Sequence, residues 1–104
     1  MCGLTGMLCF EPRSNIANQV SKMNSLLAHR GPDDEGVWHE ENIGLGHRRL
    51  SILDLSNSGA QPMHSKCGRY VLVFNGEVYN HLDLRIQLEN NNSSLYWQGQ
   101  SDTE

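Results

Sequence analysis

The stretch MCGLTGMLCF fills residues 1–10 and opens the chain with small apolar residues. We predict a buried strand there, with close backbone approach at Gly3 and Gly6, ended by Pro12. The run lacks a charged segment in front of its apolar part and contains two glycines, so it does not have the pattern of a signal peptide.

Two helices are predicted further along the chain. The first is capped by Ser14 and stopped by Gly31 and Pro32. Its apolar residues follow a four-three-four spacing on one face: Ile16, Val20, Met23 and Leu27. The second is capped by Asn80 and carries Asp83 in its first turn, where a carboxylate is favourable.

Strands are predicted between and after these helices. The segment PDDEG at 32–36 is typical of a turn, whereas residues 43–55 are strand-like with a break near two arginines. RYVLVF at 69–74 predicts a strand that runs into the turn-forming pair Asn75-Gly76, and LYWQ at 95–98 predicts the start of a last strand.

Composition indicates one small globular domain. The chain has 104 residues, 38% of them apolar, which is close to the value for soluble proteins once glycine is counted. Eight basic against 12 acidic residues give a net charge of −4 without a basic stripe, which argues against binding to nucleic acid. The sequence has no apolar run of about 18 residues, so no membrane span is predicted.

Three cysteines, at positions 2, 9 and 67, make an odd number without a secretory context. This favours reduced thiols and a cytoplasmic protein over a disulfide framework. The five histidines do not have the spacing of zinc ligands, so no metal site is predicted.

Cys2 follows the initiator methionine directly. If Met1 is removed, Cys2 becomes the mature N-terminus, and its α-amino group, which titrates near neutral pH, can act as a base for its own thiol. The alternative is that Cys2 is only a small buried residue.

Two further segments carry chemistry. In FNGEVYN at 74–80, the Asn75 amide and the Gly76 N–H could both donate to one oxyanion, although the pair could equally form an ordinary hairpin turn. In the second segment, GHRRLSILDLS at 46–56, either Arg48 or Arg49 could bind a carboxylate in a bidentate manner. Because side chains alternate along a strand, the other arginine should point away and pair with a surface acid.

Six segments in order carry a family resemblance. They are MCGLTG at the N-terminus, RGPDDEGVW at 30–38, LGHRRLSILDLS at 45–56, GAQPM at 59–63, FNGEVYN at 74–80 and SDTE at 101–104. Together they resemble the N-terminal glutaminase domain of glutamine-hydrolysing asparagine synthetases, which is a class II glutamine amidotransferase among the N-terminal-nucleophile (Ntn) hydrolases. The resemblance extends from Cys2 to Glu104.

The resemblance implies an α+β fold, the N-terminal part of an Ntn-hydrolase αββα sandwich with antiparallel sheets. Residues 1–104 would be a type 2 glutamine amidotransferase domain that is incomplete at its C-terminus, with the synthetase domain absent. Unpaired sheet edges would favour an oligomer such as a homodimer. No cofactor is implied for this domain; ATP and magnesium would serve only the synthetase domain, for which the sequence contains no S-G-G-x-D-S loop.

The resemblance also implies roles for individual residues. Cys2 would attack the side-chain amide of L-glutamine, and Asn75 and Gly76 would hold the oxyanion. Arg49 would bind the α-carboxylate of glutamine. The α-ammonium would be bound by Glu77 and Asp102.

Arg30, Gly31 and Asp33 would form a supporting loop near this site. In a full-length enzyme the released ammonia would convert aspartate to asparagine. The alternatives are a related amidotransferase that aminates another carboxylate, such as a sugar acid, a glutamine-binding module without turnover, or an inactive remnant.

Overall fold

The computed structural model describes residues 1–11, 14–51 and 56–104. In chain order, these residues form β1 (Gly3–Leu8), α1 (Ile16–Leu26), β2 (Asp34–Glu40), β3 (Ile43–Arg49), a 3-10 turn (Asn57–Gly59), β4 (Met63–His64), β5 (Val71–Leu72) and α2 (His81–Asn91). They make an antiparallel sheet in the order β1-β3-β2 and an antiparallel pair of β4 with β5. The architecture is therefore α+β, as predicted.

The core lies where α1 crosses the three-stranded sheet. Ile16 and Val20 are buried against the central strand β3. A side chain at Gly44 of β3 would lie 2.5 Å from a methyl group of Ile16 and 2.8 Å from one of Val20. The glycine therefore lets the helix approach the strand closely.

A buried polar side chain on α1 joins the helix to all three strands. Asn24 is fully buried; its Oδ1 accepts from the Thr5 hydroxyl on β1 at 2.8 Å. Its Nδ2 donates to the carbonyl of Gly36 on β2 at 3.0 Å and to that of His47 on β3 at 3.3 Å. Because buried polar groups must be paired, these bonds set the position of the helix over the sheet.

The first helix is confirmed, but both of its ends differ from the prediction. Asn15 rather than Ser14 is its N-cap, and that side chain makes no capping hydrogen bond. The helix ends at Leu26, after which i to i+3 backbone bonds at Leu27 and Ala28 tighten the chain into turns. The prediction that it continues to Gly31 was therefore wrong by one turn.

Residues 32–36 were expected to form a turn, yet Asp34–Glu40 is strand β2. The reason is tertiary: β2 pairs along its whole length with β3, and the Glu35 carboxylate meets the Arg48 guanidinium at 2.7 Å across the strands. Cross-strand pairing of this kind outweighs a local preference for a turn.

The later strands are shorter than predicted. Within 69–74 only Val71–Leu72 is a strand, and residues 95–98 form none. A hydrogen bond of 2.6 Å from Trp97 Nε1 to the Glu89 carboxylate links that segment to α2. Asn75-Gly76 does not close a hairpin; it leads instead to α2. That helix has Asn80 at its N-cap and Asp83 in its first turn, as predicted, although the Asn80 side chain makes no capping hydrogen bond.

The predicted break in 43–55 is confirmed, because β3 ends at Arg49. The remainder of the strand predicted there falls partly outside the described residues, and Pro12, which was predicted to end the first strand, lies outside them. No helix in the described ranges has the length and apolar character needed to cross a membrane.

Candidate functional site

A cleft of about 290 Å³ opens where β1 begins and β3 ends. All six residues predicted for catalysis and glutamine binding line it: Cys2, Arg49, Asn75, Gly76, Glu77 and Asp102. They come from four places in the chain, and the folding of β1 against β3 brings the first two together. The geometry of each follows from its neighbours.

Cys2 is held by backbone at the end of β3. The antiparallel register pairs Gly3 with Arg48, so the chain enters β1 beside the end of β3, where Cys2 reaches Leu50. The Leu50 N–H donates to the Cys2 sulfur at 3.3 Å, and the thiol in turn donates to the Leu50 carbonyl at 3.6 Å. The half-buried sulfur is thus fixed at the wall of the cleft.

The two arginines of β3 point to opposite sides, as strand alternation predicts. Arg49 is buried beside the cleft and donates from Nη1 to the Ser56 carbonyl at 2.9 Å. Arg48 points away from the cleft, where its Nε donates to the Gly31 carbonyl at 2.9 Å and its Nη1 pairs with Glu35. Arg49 is therefore the arginine available to the site.

The segment Asn75–Glu77 forms the wall that faces the strand ends. It is anchored through Phe74, whose N–H donates to Gln61 Oε1 at 2.6 Å and whose carbonyl accepts from His47 Nε2 at 3.3 Å. Both polar groups of the Phe74 backbone are therefore held by side chains. This fixes the chain direction immediately before the Asn75 amide and the Gly76 N–H.

Asp102 also lines the cleft and is linked to the loop that carries Asn75–Glu77. Its Oδ2 accepts from the Val78 N–H at 2.7 Å, a bond that joins the C-terminal segment to the residue after Glu77. Ser101 beside it is buried, and Thr103 accepts from Gln61 at 3.4 Å. The two carboxylates and the Arg49 guanidinium consequently share one cleft.

His47 also lines the cleft, and sequence analysis did not select it. The residue is 1% exposed, and its Nδ1 finds no hydrogen-bond partner among the described residues. Burial lowers the pKa of His47, with the Arg49 charge acting the same way, while the Phe74 carbonyl and Asp34 act in the opposite direction. The lowered pKa favours the neutral form of the imidazole, and the contact with the Phe74 carbonyl, which can only accept, places a proton on Nε2. A signal was present: His47 lies two residues before Arg49, on the same face of β3.

The residues predicted as a supporting loop brace the site without lining the cleft. Arg30 Nη2 donates to the Cys2 carbonyl at 3.5 Å. Asp33 accepts from the Ser51 N–H at 2.7 Å, and its own N–H donates to the Arg49 carbonyl at 3.0 Å. Gly31 packs directly on the backbone of β3.

No set of three or more His, Cys, Asp or Glu side chains within the described ranges is arranged to hold a metal ion. The residues that line the cleft include a thiol, amide donors, one guanidinium and two carboxylates, together with the imidazole of His47 and the hydroxyl residues Tyr79, Ser101 and Thr103.

Comparison with known proteins agrees with the sequence resemblance. The model of the glutamine amidotransferase domain family matches residues 1–104. The chain is 44% identical over 92 residues to asparagine synthetase [glutamine-hydrolyzing] 1 of Bacillus subtilis strain 168, covering 86% of this chain and 14% of that protein. It is 38% identical over 88 residues to asparagine synthetase B [glutamine-hydrolyzing] of Escherichia coli K12, covering 84% and 16%.

It is also 37% identical over 115 residues to amidase chyE of Penicillium rubens, covering 100% of this chain and 17% of that protein. The chain thus spans between 14% and 17% of the length of these curated relatives, all of which are named as enzymes. With a match along its whole length, the chain belongs to the glutamine amidotransferase domain family.

Proposed function

We propose that this cleft hydrolyses L-glutamine to glutamate and ammonia, with Cys2 as the nucleophile. The observation that carries the proposal is the convergence of Cys2, Arg49, the Asn75–Glu77 segment and Asp102 on one cleft from distant parts of the sequence. Membership of the amidotransferase family supports glutamine as the source of the ammonia. The names of the synthetase relatives support the same reaction class.

The charges of the cleft match those of the substrate. Glutamine is a zwitterion, so a guanidinium and two carboxylates can bind its two charged groups at once. Arg49 would bind the α-carboxylate through its planar fork, while Glu77 and Asp102 would bind the α-ammonium. With both charges held, the side-chain amide is directed toward the Cys2 sulfur.

The reaction then proceeds in two acyl-transfer steps. The Cys2 sulfur forms a bond to the amide carbon, and the resulting oxyanion accepts hydrogen bonds from the Asn75 amide and the Gly76 N–H. The proton from the thiol passes through the α-amine of Cys2 to the departing nitrogen, and the C–N bond breaks to release ammonia. Water attacks the thioester by the same route, which releases glutamate and restores the thiol.

This mechanism requires Cys2 to be the first residue, since the nitrogen of a peptide bond is not a base. Met1 lines the cleft beside Cys2. Its removal would therefore both generate the base and widen access to the sulfur.

In the whole enzyme we propose that residues 1–104 are part of the glutaminase domain, with the two antiparallel sheets belonging to an Ntn-hydrolase αββα sandwich. The ammonia would pass to a synthetase domain that uses ATP and magnesium to convert aspartate to asparagine. Arg49 and Asp102 would bind glutamine in the same way whichever molecule receives the ammonia. The choice of aspartate as the ammonia acceptor therefore rests on the synthetase relatives rather than on the cleft.

A glutamine-mimicking diazoketone tests the nucleophile. We expect one covalent adduct, located on Cys2 by peptide mass analysis, and glutaminase activity that falls by about 10³-fold or more in Cys2→Ala, as in other enzymes that lose their nucleophile. Cys67→Ala is the matched control, because that thiol is exposed and does not line the cleft. An adduct on Cys67, or none in the protein freed of Met1, would contradict the proposal.

A further inference from the structure

One side chain organises the C-terminal segment that carries Asp102. Residues 97–104 are all described and none lies in a helix or strand, so their backbone has little regular hydrogen bonding of its own. Arg85, from the middle of α2, enters this segment: its Nη1 donates to the Gly99 carbonyl at 3.0 Å and its Nη2 to the Ser101 carbonyl at 2.7 Å. One planar guanidinium therefore bridges two carbonyls that lie just before Asp102.

The rest of the segment closes around the same guanidinium. Arg85 stacks over the Trp97 ring at 4.5 Å, and its Nη2 lies 3.7 Å from the Glu104 carboxylate. The two Glu104 oxygens in turn accept from the backbone N–H groups of residues 98 and 99 at 2.6 and 3.0 Å. The first and last residues of the segment are thus held to one cation.

Partial burial strengthens the contacts that Arg85 makes with the segment. The Arg85 side chain is only 15% exposed, although no residue of the described helix α2 is fully buried. A partly desolvated, charge-assisted hydrogen bond is stronger than one at the open surface. Arg85 therefore links the segment beside the cleft to α2 next to Asp102. The hydrogen bond from Trp97 to Glu89 links the segment to α2 at its other end.

We propose that Arg85 is a positioning residue that sets the place of the Asp102 carboxylate in the cleft. The bond from the Val78 N–H to Asp102 Oδ2, at 2.7 Å, then depends on Arg85, because it forms only when the segment is held against the loop after Glu77. The inference rests on the proposed function in assigning glutamine binding to Asp102. Lysine cannot replace the arginine, since a single ammonium does not span two carbonyls as the guanidinium fork does.

Steady-state glutaminase kinetics of the protein freed of Met1 give the first test. We expect Arg85→Ala to raise the KM for glutamine about tenfold with kcat within about twofold, since a hydrogen bond to a charged group is worth about one power of ten or more. The KM of Arg85→Lys should lie between that of Arg85→Ala and that of the parent protein. Arg69→Ala is the matched control, because that arginine also stacks on an aromatic ring, Tyr70 at 5.5 Å, and, like Arg85, does not itself line the cleft.

A double-mutant cycle separates positioning from general structure. If Arg85 acts through Asp102, the KM of the pair Arg85→Ala with Asp102→Asn should be no higher than that of Asp102→Asn alone. Effects that multiply independently would overturn the inference, as would a KM for Arg85→Ala within about twofold of the parent.

Amide hydrogen exchange at Val78 provides a readout that does not depend on glutamine. Arg85→Ala should accelerate this exchange at least about tenfold, and Arg69→Ala should leave it unchanged. Unchanged exchange in Arg85→Ala would overturn the inference even in an active enzyme. A parent protein that does not hydrolyse glutamine would instead contradict the proposed function, while the exchange measurement would still decide the part played by Arg85.

Discussion

Replacement of Asn24 should destabilise the protein out of proportion to the size of its side chain. The substitution Asn24→Ala removes three hydrogen bonds, to Thr5, Gly36 and His47, at a position with no exposed surface. Each is worth about 1 kcal/mol net, and the His47 carbonyl, which would lose a donor, belongs to a buried residue. Alanine returns only about 0.5 kcal/mol through its better helix propensity. We expect the free energy of unfolding to fall by about 2–3 kcal/mol.

Urea denaturation followed by far-UV circular dichroism measures this change. Asn18→Ala is the matched control, since Asn18 is an exposed asparagine of the same helix, and this substitution should be neutral or slightly stabilising. Thr5→Val removes one of the three bonds and should cost about 1 kcal/mol. If Asn24→Ala and Asn18→Ala unfold at the same urea concentration, the reasoning about the buried amide is refuted.

Two further predictions concern the strand that carries the site. His47→Gln keeps an N–H donor toward Phe74 but removes the titrating ring. Because burial lowers the pKa of His47 in the folded state, the parent should be fully stable above about pH 6.5 and lose stability as the pH falls below it, whereas the variant should lose less; equal pH dependence of the urea midpoints would contradict this. Gly31→Ala should cost about 2–3 kcal/mol and raise the KM for glutamine, because the new Cβ would overlap the Arg48 carbonyl and lie 2.6 Å from Arg49 N. Gly6→Ala, whose Cβ meets only ordinary contacts of 3.6 Å or more, is the control in thermal unfolding; similar losses in both variants would count against the explanation.

The first strand and the first helix could be predicted from the sequence because their apolar spacing is local. The prediction that the first strand is buried was wrong: in the described strand β1 only Gly3 is buried, and Leu4 and Leu8 are 44% and 68% exposed. Strand β2 could not be predicted, since Asp34, Glu35 and Gly36 have local turn preferences that only the pairing with β3 overrides. Asn24 was missed for a related reason: an asparagine on a helix is usually exposed, and its burial depends on three partners on different strands. Long-range contacts, rather than weak local signals, explain these differences.

The candidate site was predicted more completely than the strands that support it. Short motifs that can be read from a single sequence contain Cys2, Arg49 and the Asn75–Glu77 segment. The fold brings these residues to the same cleft. Arg85 lies outside the six segments, and Gln61, although it is part of GAQPM, was given no role. Their hydrogen bonds to backbone groups depend on the folded chain and have no signature in the sequence. A motif marks the groups that would touch a substrate better than it marks those that hold them in place.

The packing of the core and the geometry of the cleft meet in one residue of β3. The carbonyl of His47 accepts from Asn24 in the core, and its ring donates to the Phe74 carbonyl directly before the proposed oxyanion donors. A shift of α1 over the sheet would therefore move the His47 backbone and, with it, the support of Asn75 and Gly76. Since Arg49 lies on the same face two residues later, the same shift would displace the group proposed to bind the α-carboxylate. Core substitutions at Asn24 should consequently reduce glutaminase activity under conditions in which the protein is still folded.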